Sequence, residues 1–228
     1  MRALLEGIRL ITIDLDDTLW PCAPVIRHAE ESLYRWLETA APALAAAHDL
    51  ASLREHRRHV ASLTPHRAHD LTWLRREHLR LLLSEYGYAA DLADEGVNVF
   101  RQARNRVEPF GDVAPVLELW RARYLLVSLT NGNVDLHRTP LGVFFHHHVD
   151  AAMAGAAKPD PAMFLHALAH AGVEPGHALH LGDDPVRDIA PARSLGMRTV
   201  WVNRANAEWP AHMEPADGEV TSLGELPG

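Results

Sequence analysis

Leu10–Ile13 reads as a buried strand, and the next comparable segment does not come until Tyr124–Leu129. Everything between them has helical spacing. Val25, Ala29, Leu33 and Trp36 recur at intervals of three and four, and Leu71, Leu74, His78, Leu81 and Leu82 repeat the pattern before a stop at Gly87. Two more helices are expected around Leu50–Leu63 and Leu92–Val107, with Pro109-Phe110-Gly111-Asp112 as the return linker. A chain that opens a strand and then spends so long in helices has inserted one structure into another.

From residue 111 onward short apolar segments alternate with helical ones: a helix near 111–123, then Tyr124–Leu129, Val149–Met153, Pro161–Gly172, Ala178–Leu181, a helix over Asp188–Gly196 with Asp188 as its cap and Pro191 in its first turn, and Thr199–Val202. Such alternation implies a parallel sheet covered by helices. The expected architecture is α/β, a Rossmann-like parallel sheet core (1–19 and 108–228) with a helical cap (20–107) inserted after the first strand. The tail from Asn203 onward, rich in Pro, Gly and Glu, reads as irregular surface structure.

A chain of 228 residues can bury a substantial interior. Its formal charge of −8 argues against a nucleic-acid partner, which would need clustered Lys and Arg, but leaves room for a small phosphorylated ligand at a locally positive site. The single cysteine, Cys22, fits a reducing compartment, and no apolar run is long enough for a signal core or a membrane span, so a cytoplasmic location without a membrane partner is expected. His146-His147-His148 lacks ligand spacing and reads as loop or strand-edge histidines, not as a metal site. Oligomeric state is not legible.

The chemistry concentrates at strand ends. Ile11-Thr12-Ile13-Asp14-Leu15-Asp16-Asp17-Thr18 delivers two carboxylates, Asp14 and Asp16, two residues apart and so directed the same way from an extended backbone. Their mutual repulsion calls for a cation, a shared proton or a lysine. Thr130-Asn131-Gly132 follows one apolar segment and Gly182-Asp183-Asp184 another, with Asp188 after it. Lys158 stands before Pro159, ahead of a helix. In open α/β sheets, ligands bind beyond the carboxyl ends of the strands, the edge from which the insert also leaves.

In order and context these residues resemble the haloacid dehalogenase-like hydrolase superfamily: Asp14-x-Asp16-x-Thr18, then Thr130, then Lys158, then Gly182-Asp183 with Asp188. The resemblance implies that Asp14 attacks phosphorus and that Asp16 is acid and then base. It implies a magnesium ion (Mg2+) held by Asp14, the Asp16 carbonyl and Asp183, with Asp188 as a further ligand or acting through water. Thr130, the Asn131 amide and Lys158 would hold the phosphoryl oxygens. Asp17 and Thr18 read as structural, and Asp184 has no assigned role. Dehalogenases of the superfamily lack the second aspartate, so Asp16 favours phosphoryl chemistry.

A narrower likeness adds Trp20, Pro24-Val25-Ile26, His69-Asp70-x-Thr72-x-x-Arg75, Asn133 and Leu141-Gly142-x-Phe144-Phe145. It resembles bacterial flavin-pathway phosphatases, which act on FMN and on the phosphorylated ribitylaminouracil precursor of riboflavin. That likeness implies Trp73 stacking on a ring and Arg75 binding a polar edge or the phosphate, whereas the residues alone are equally read as a helix start capped by Asp70. A phosphatase of a sugar phosphate or nucleotide, a haloacid dehalogenase, and a phospho-acceptor signalling or scaffold protein are the alternatives.

Overall fold

The structure, a computed structural model, describes residues 2–227. In chain order the elements are α1 (Arg2–Leu5), β1 (Leu10–Ile13), α2 (Cys22–Ala40), α3 (Pro42–Ala47), α4 (Leu50–Leu63), α5 (Leu71–Glu85), α6 (Leu92–Arg104), α7 (Val113–Arg121), β2 (Leu125–Thr130), β3 (His147–Asp150), α8 (Ala151–Ala154), α9 (Ala162–Ala171), β4 (Ala178–Gly182), α10 (Ala190–Ser194), β5 (Arg198–Val202) and β6 (Gly218–Val220). No helix among the described residues is long and apolar enough to cross a membrane.

Two compact units emerge: 1–21, 108–132 and 136–228 form one, and 22–107 with 133–135 the other. The expected boundaries put all of 108–228 in the core, but Asn133–Asp135 groups with the helices. Asn133 Nδ2 donates to Thr72 Oγ1 (3.2 Å) and the Asp135 amide to Asn105 Oδ1 (2.9 Å), which ties this short segment to α5 and to the end of α6.

The larger unit is built on one six-stranded sheet, order β3-β2-β1-β4-β5-β6, parallel throughout. β1 is central because all four of its residues are apolar or β-branched and fully buried, as a strand covered on both faces requires. Leu10 pairs with Leu125 on one side and Ala178 on the other, and Ile13 with Ser128 and Leu181. This register brings the carboxyl ends of β1, β2 and β4 to one rim. Leu10, Val127, Leu129 and Val149 pack with Met163 and Phe164 of α9.

The tail, expected to be irregular, contains one further strand: Gly218–Val220 adds β6 to the edge of β5 and so extends the sheet. Its single buried side chain is Val220, too short a pattern to stand out. The expected strand Val149–Met153 is instead β3, ending at Asp150, whose carboxylate caps α8 at the Met153 amide. The histidine run lies at this edge strand: His147 stacks on His170 (centroids 3.8 Å apart) and on His166 (5.7 Å), and His148 Nδ1 pairs with Ser128 Oγ (2.7 Å).

The second unit is helical. α2, α5 and α6 bury Leu33, Leu37, Leu79, Leu82, Leu83, Val97 and Phe100 together. Gly96 in α6 is required by closeness, since a Cβ there would fall 2.8 Å from the Trp36 ring. α3 is not legible from periodicity, because Pro42-Ala-Leu-Ala-Ala-Ala offers it one large apolar residue. Asp49 and Ser52 form a reciprocal capping box on α4, and Asp70 Oδ1 accepts the Trp73 amide (2.9 Å) at the start of α5.

His78 is 1% exposed, with its Nδ1 3.2 Å from Nδ1 of His56. Burial first, then Arg57, His56, Arg75 and His48, hold its pKa well below the imidazole norm. A histidine depressed in the folded state contributes stability that is present above the unfolded pKa, about 6.5, and lost as pH falls below it, because the unfolded chain then gains a proton that the folded one refuses. Each pH unit below that point should cost about 1.4 kcal/mol until His78 itself protonates. Thermal unfolding at pH 7.5 and 5.5 should show a fall in Tm that is smaller in His78→Leu; equal falls in both proteins would exclude His78 as the source.

Candidate active site

Asp14 follows β1 and is 6% exposed; its amide donates to the Leu181 carbonyl (2.9 Å), continuing the ladder one residue past the strand. Lys158 is 4% exposed, and its ammonium has three donors and three acceptors: Asp14 Oδ1 (2.6 Å), Asp188 Oδ1 (2.6 Å) and the Leu129 carbonyl (3.0 Å). The Asn131 side chain fixes the lysine from behind. Its Oδ1 accepts the Lys158 amide (2.7 Å) and its Nδ2 donates to the Lys158 carbonyl (2.9 Å), a two-point clamp between the end of β2 and the lysine loop. Thr130 Oγ1 accepts the Gly132 amide (2.9 Å), which leaves the hydroxyl proton to donate.

Asp188 was expected to cap the helix that follows β4, and the structure corrects this. Asp184 is the cap, its Oδ1 accepting the Val186 and Arg187 amides, and the chain enters a π-helical turn at Pro185. Asp188 instead turns inward, 1% exposed, with Oδ2 accepting the Asp184 amide (3.1 Å). Gly182 makes room for it: a Cβ at 182 would fall 2.4 Å from Asp188 Cγ. Carboxylate oxygens of Asp14, Asp183 and Asp188 lie within 4.8 Å of one another, and Thr18 Oγ1 sits between Asp14 Oδ2 (3.3 Å) and Asp183 Oδ1 (3.4 Å).

Two carboxylates, Asp14 and Asp188, contact the Lys158 ammonium, and Asp183 lies close to both. Burial is the largest influence on each group. It raises Asp14 well above the carboxylate norm despite Lys158, and it pushes Asp183 up to about 7, with Asp188 and Asp17 adding to the rise. Burial acts the same way on Asp188, but Lys158 and His180 overcome it and hold that carboxylate below its usual range. Burial would depress Lys158, yet Asp14 and Asp188 raise it, so the ammonium persists. An all-oxygen set of three clustered carboxylates suits a hard divalent cation.

Asp16 is half-buried, and the Trp20 indole donates to its Oδ1 at 2.9 Å. Asp17, at φ +62°, turns the chain between them, a left-handed conformation that aspartate tolerates better than most residues. Neither Trp20 nor His180 is assigned a place at the reacting groups by sequence reasoning. His180 Nε2 lies 3.3 Å from Asp188 Oδ1 and its Nδ1 2.9 Å from Thr12 Oγ1. Burial holds His180 below the imidazole norm against the pull of Asp188. A polar ring inside Ala178-Leu-His-Leu-Gly182 was the available signal.

The structure therefore brings together Asp14, Lys158, Asp183 and Asp188, with Asp16, Thr130 and Asn131 on the same three strand ends and the lysine loop. Trp73 and Arg75 lie on α5 in the helical unit. Arg75 is 5% exposed, its guanidinium 3.3 Å from the Phe100 ring centroid and its Nε without a hydrogen-bond partner. Trp73 has the Arg67 guanidinium 5.0 Å from its ring.

Residues 8–196 match the family model of the haloacid dehalogenase-like hydrolases. The chain belongs to that family. Among relatives of this hydrolase, the 5-amino-6-(5-phospho-D-ribitylamino)uracil phosphatase YigB of Escherichia coli is 28% identical over 97% of this chain and 96% of its own. The phosphoserine phosphatase of Thermus thermophilus is 34% identical over 86% and 89%. The crystal structure of a 2-haloacid dehalogenase from Pseudomonas syringae pv. Tomato DC3000 superimposes with a TM-score of 0.90 at 40% identity, covering 96% of each chain. This hydrolase thus has relatives named for carbon–halogen cleavage as well as for phosphate ester cleavage.

Proposed function

We propose that this hydrolase is a magnesium-dependent phosphomonoesterase acting on a small phosphorylated metabolite. The observation that carries the reading is Asp16, two residues beyond Asp14 and oriented by the Trp20 indole. Breaking an alkyl phosphate releases an alkoxide, which needs a proton; breaking a carbon–halogen bond releases a halide, which does not. An acid held at this position has work to do only in the first reaction.

In the proposed sequence an Asp14 oxygen attacks phosphorus, the phosphorus–oxygen bond to the alcohol breaks, and Asp16 gives its proton to the departing oxygen. Asp16, now a carboxylate, takes a proton from water as that water attacks the aspartyl-phosphate, and the Asp14–phosphorus bond breaks to release phosphate. Lys158 and the Thr130 hydroxyl stabilise charge on the phosphoryl oxygens, and the Asn131 clamp keeps the lysine in place. Asp14, Asp183, Asp188 and the Asp16 carbonyl would hold the magnesium ion, which when bound neutralises phosphoryl charge and the excess of the carboxylates.

For the substrate, the flavin-pathway phosphates come first: FMN and the phosphorylated ribitylaminouracil, supported by the sequence likeness and by the YigB relative. Trp73 is assigned to the ring of that substrate and Arg75 to a polar edge or the phosphate. The competing reading is a haloacid dehalogenase, favoured by the 40% identity to the Pseudomonas protein.

The test is phosphate release from FMN, glucose 6-phosphate, phosphoserine and p-nitrophenyl phosphate, with magnesium or EDTA, beside halide release from 2-chloropropionate. Magnesium-dependent phosphate release is expected, with kcat/KM higher for FMN than for glucose 6-phosphate. Asp16→Asn should lose about 10²–10⁴-fold in kcat on alkyl phosphates and less on p-nitrophenyl phosphate, whose leaving group needs little help. Metal-independent halide release without phosphate release would replace the proposal with dehalogenation, and equal kcat/KM for FMN and glucose 6-phosphate would remove only the flavin assignment.

A further inference from the structure

Arg204 lies two residues beyond β5, in the tail whose sequence reads as irregular, and spends its guanidinium on three acceptors. Nε donates to the Thr18 carbonyl (2.8 Å), while Nη1 and Nη2 donate to the two oxygens of Asp112 (3.2 and 3.0 Å). Its planar face lies 4.0 Å from the Phe110 ring centroid. Asp112 has further partners: its Oδ2 also accepts the Leu223 amide (2.6 Å) and the Ser222 hydroxyl (3.0 Å). Three distant segments, the return linker, the exit of β5 and the residues after β6, therefore meet behind the turn that carries Asp14 and Asp16.

The carbonyl held by Arg204 belongs to the residue whose hydroxyl stands between Asp14 and Asp183. The turn is held both from within and from outside. Asp17 is at φ +62°, and the loop is closed by the Asp17 amide on the Trp20 carbonyl (2.8 Å) and the Leu19 amide on the Leu15 carbonyl (2.8 Å). Phe110, the residue under the guanidinium, donates its own amide to the Leu19 carbonyl (3.0 Å). An uncommon backbone conformation persists only where its surroundings over-determine it. A lysine could not replace the arginine here, because one ammonium cannot span a bidentate carboxylate and a carbonyl on the far edge.

We propose that Arg204, anchored by Asp112, is a positioning residue for the Asp14–Thr18 turn, and that through Asp112 the segment after β6 belongs to the working structure of the active site. The proposal rests on the reading of Asp14 and Asp16 as reacting groups. It predicts an effect on the chemical step, because a small displacement of the attacking group costs rate while leaving ground-state binding of the phosphate ester largely alone.

The experiment compares wild type with Arg204→Ala, Arg204→Lys and Asp112→Asn in two measurements: kcat and KM on p-nitrophenyl phosphate, and the indole N–H resonance of Trp20, assigned by Trp20→Phe. The resonance reports the Trp20–Asp16 contact without requiring turnover. Arg204→Ala should lower kcat about 10–100-fold with KM changed less than about threefold, and should shift or broaden the Trp20 indole signal. Millimolar guanidinium should restore part of the lost kcat in this variant alone. Arg204→Lys should recover little, and Asp112→Asn should reproduce part of the defect. An unmoved indole resonance with kcat intact, or equal loss in kcat/KM through KM alone, overturns the brace. If Arg204→Ala does not fold, the Lys and Asn variants decide on the same two criteria. If wild type releases no phosphate from any ester, the phosphatase reading falls, and the indole resonance decides the brace by itself.

Discussion

Asp14→Asn should abolish phosphate release, by at least about 10⁴-fold in kcat, in a protein that stays folded. The substitution keeps the shape of the side chain and removes the oxygen nucleophile. Its structural cost should be small, because burial already raises the Asp14 pKa against the pull of Lys158, so the ionised carboxylate is not a strong source of stability. Lys158 would retain Asp188 and the Leu129 carbonyl. Phosphate release and Tm should be measured on one preparation. A loss of activity below about 100-fold would mean that Asp14 is not the attacking group, whereas a collapse of Tm would mean that it serves the fold.

Lys158→Met should have the largest effect on stability. It removes the cation shared by Asp14 and Asp188, both within 2.6 Å of it and both buried. Breaking a buried ion pair from one side costs about 3–5 kcal/mol, because the abandoned charge stays out of water. At about 2–4 °C per kcal/mol for a domain of this size, Tm in EDTA should fall by roughly 6–20 °C. Magnesium should return more of that loss in the variant than it adds to wild type, since in the variant no ammonium already offsets the carboxylates. Equal magnesium shifts in the two proteins would show that the ion does not bind among these carboxylates. Activity should fall about 10²–10³-fold even with magnesium, through the lost contact to the phosphoryl group.

The strands legible in the sequence are those in which apolar residues predominate. β1, β2 and β4 announce themselves because a strand covered on both faces is mostly apolar; the polar residues they do contain, Thr12, Ser128, Thr130 and His180, are buried, and His180 is held by Thr12 and Asp188. β6 escapes because an edge strand of three residues needs only Val220 buried, and neighbours such as Glu219 look like loop. The order of acidic, hydroxyl and basic residues along the chain is legible, as is the rim they share. What each carboxylate does is not. Asp184 and Asp188 both fit a cap by spacing, and only the space that Gly182 leaves decides that the second one turns inward. The Asn131 side chain also clamps Lys158, a contact between segments that no local pattern encodes. Arg204 lies beyond every motif and its partners are distant in sequence.

The central position of β1 sets the order in which the chain can assemble. Its four residues emerge early in synthesis, yet one of its two neighbours, β4, begins at Ala178, so one side of the strand stays unpaired until most of the polypeptide exists. The helices from Cys22 to Arg104 need no such wait, because their contacts are contiguous in sequence and local contacts form fast. An apolar strand that stays unpaired on one side while synthesis continues is the circumstance in which intermediates aggregate and chaperones are engaged. The site cannot be assembled before Asp183 and Asp188 have been made, because they follow β4, the strand that completes the pairing of β1.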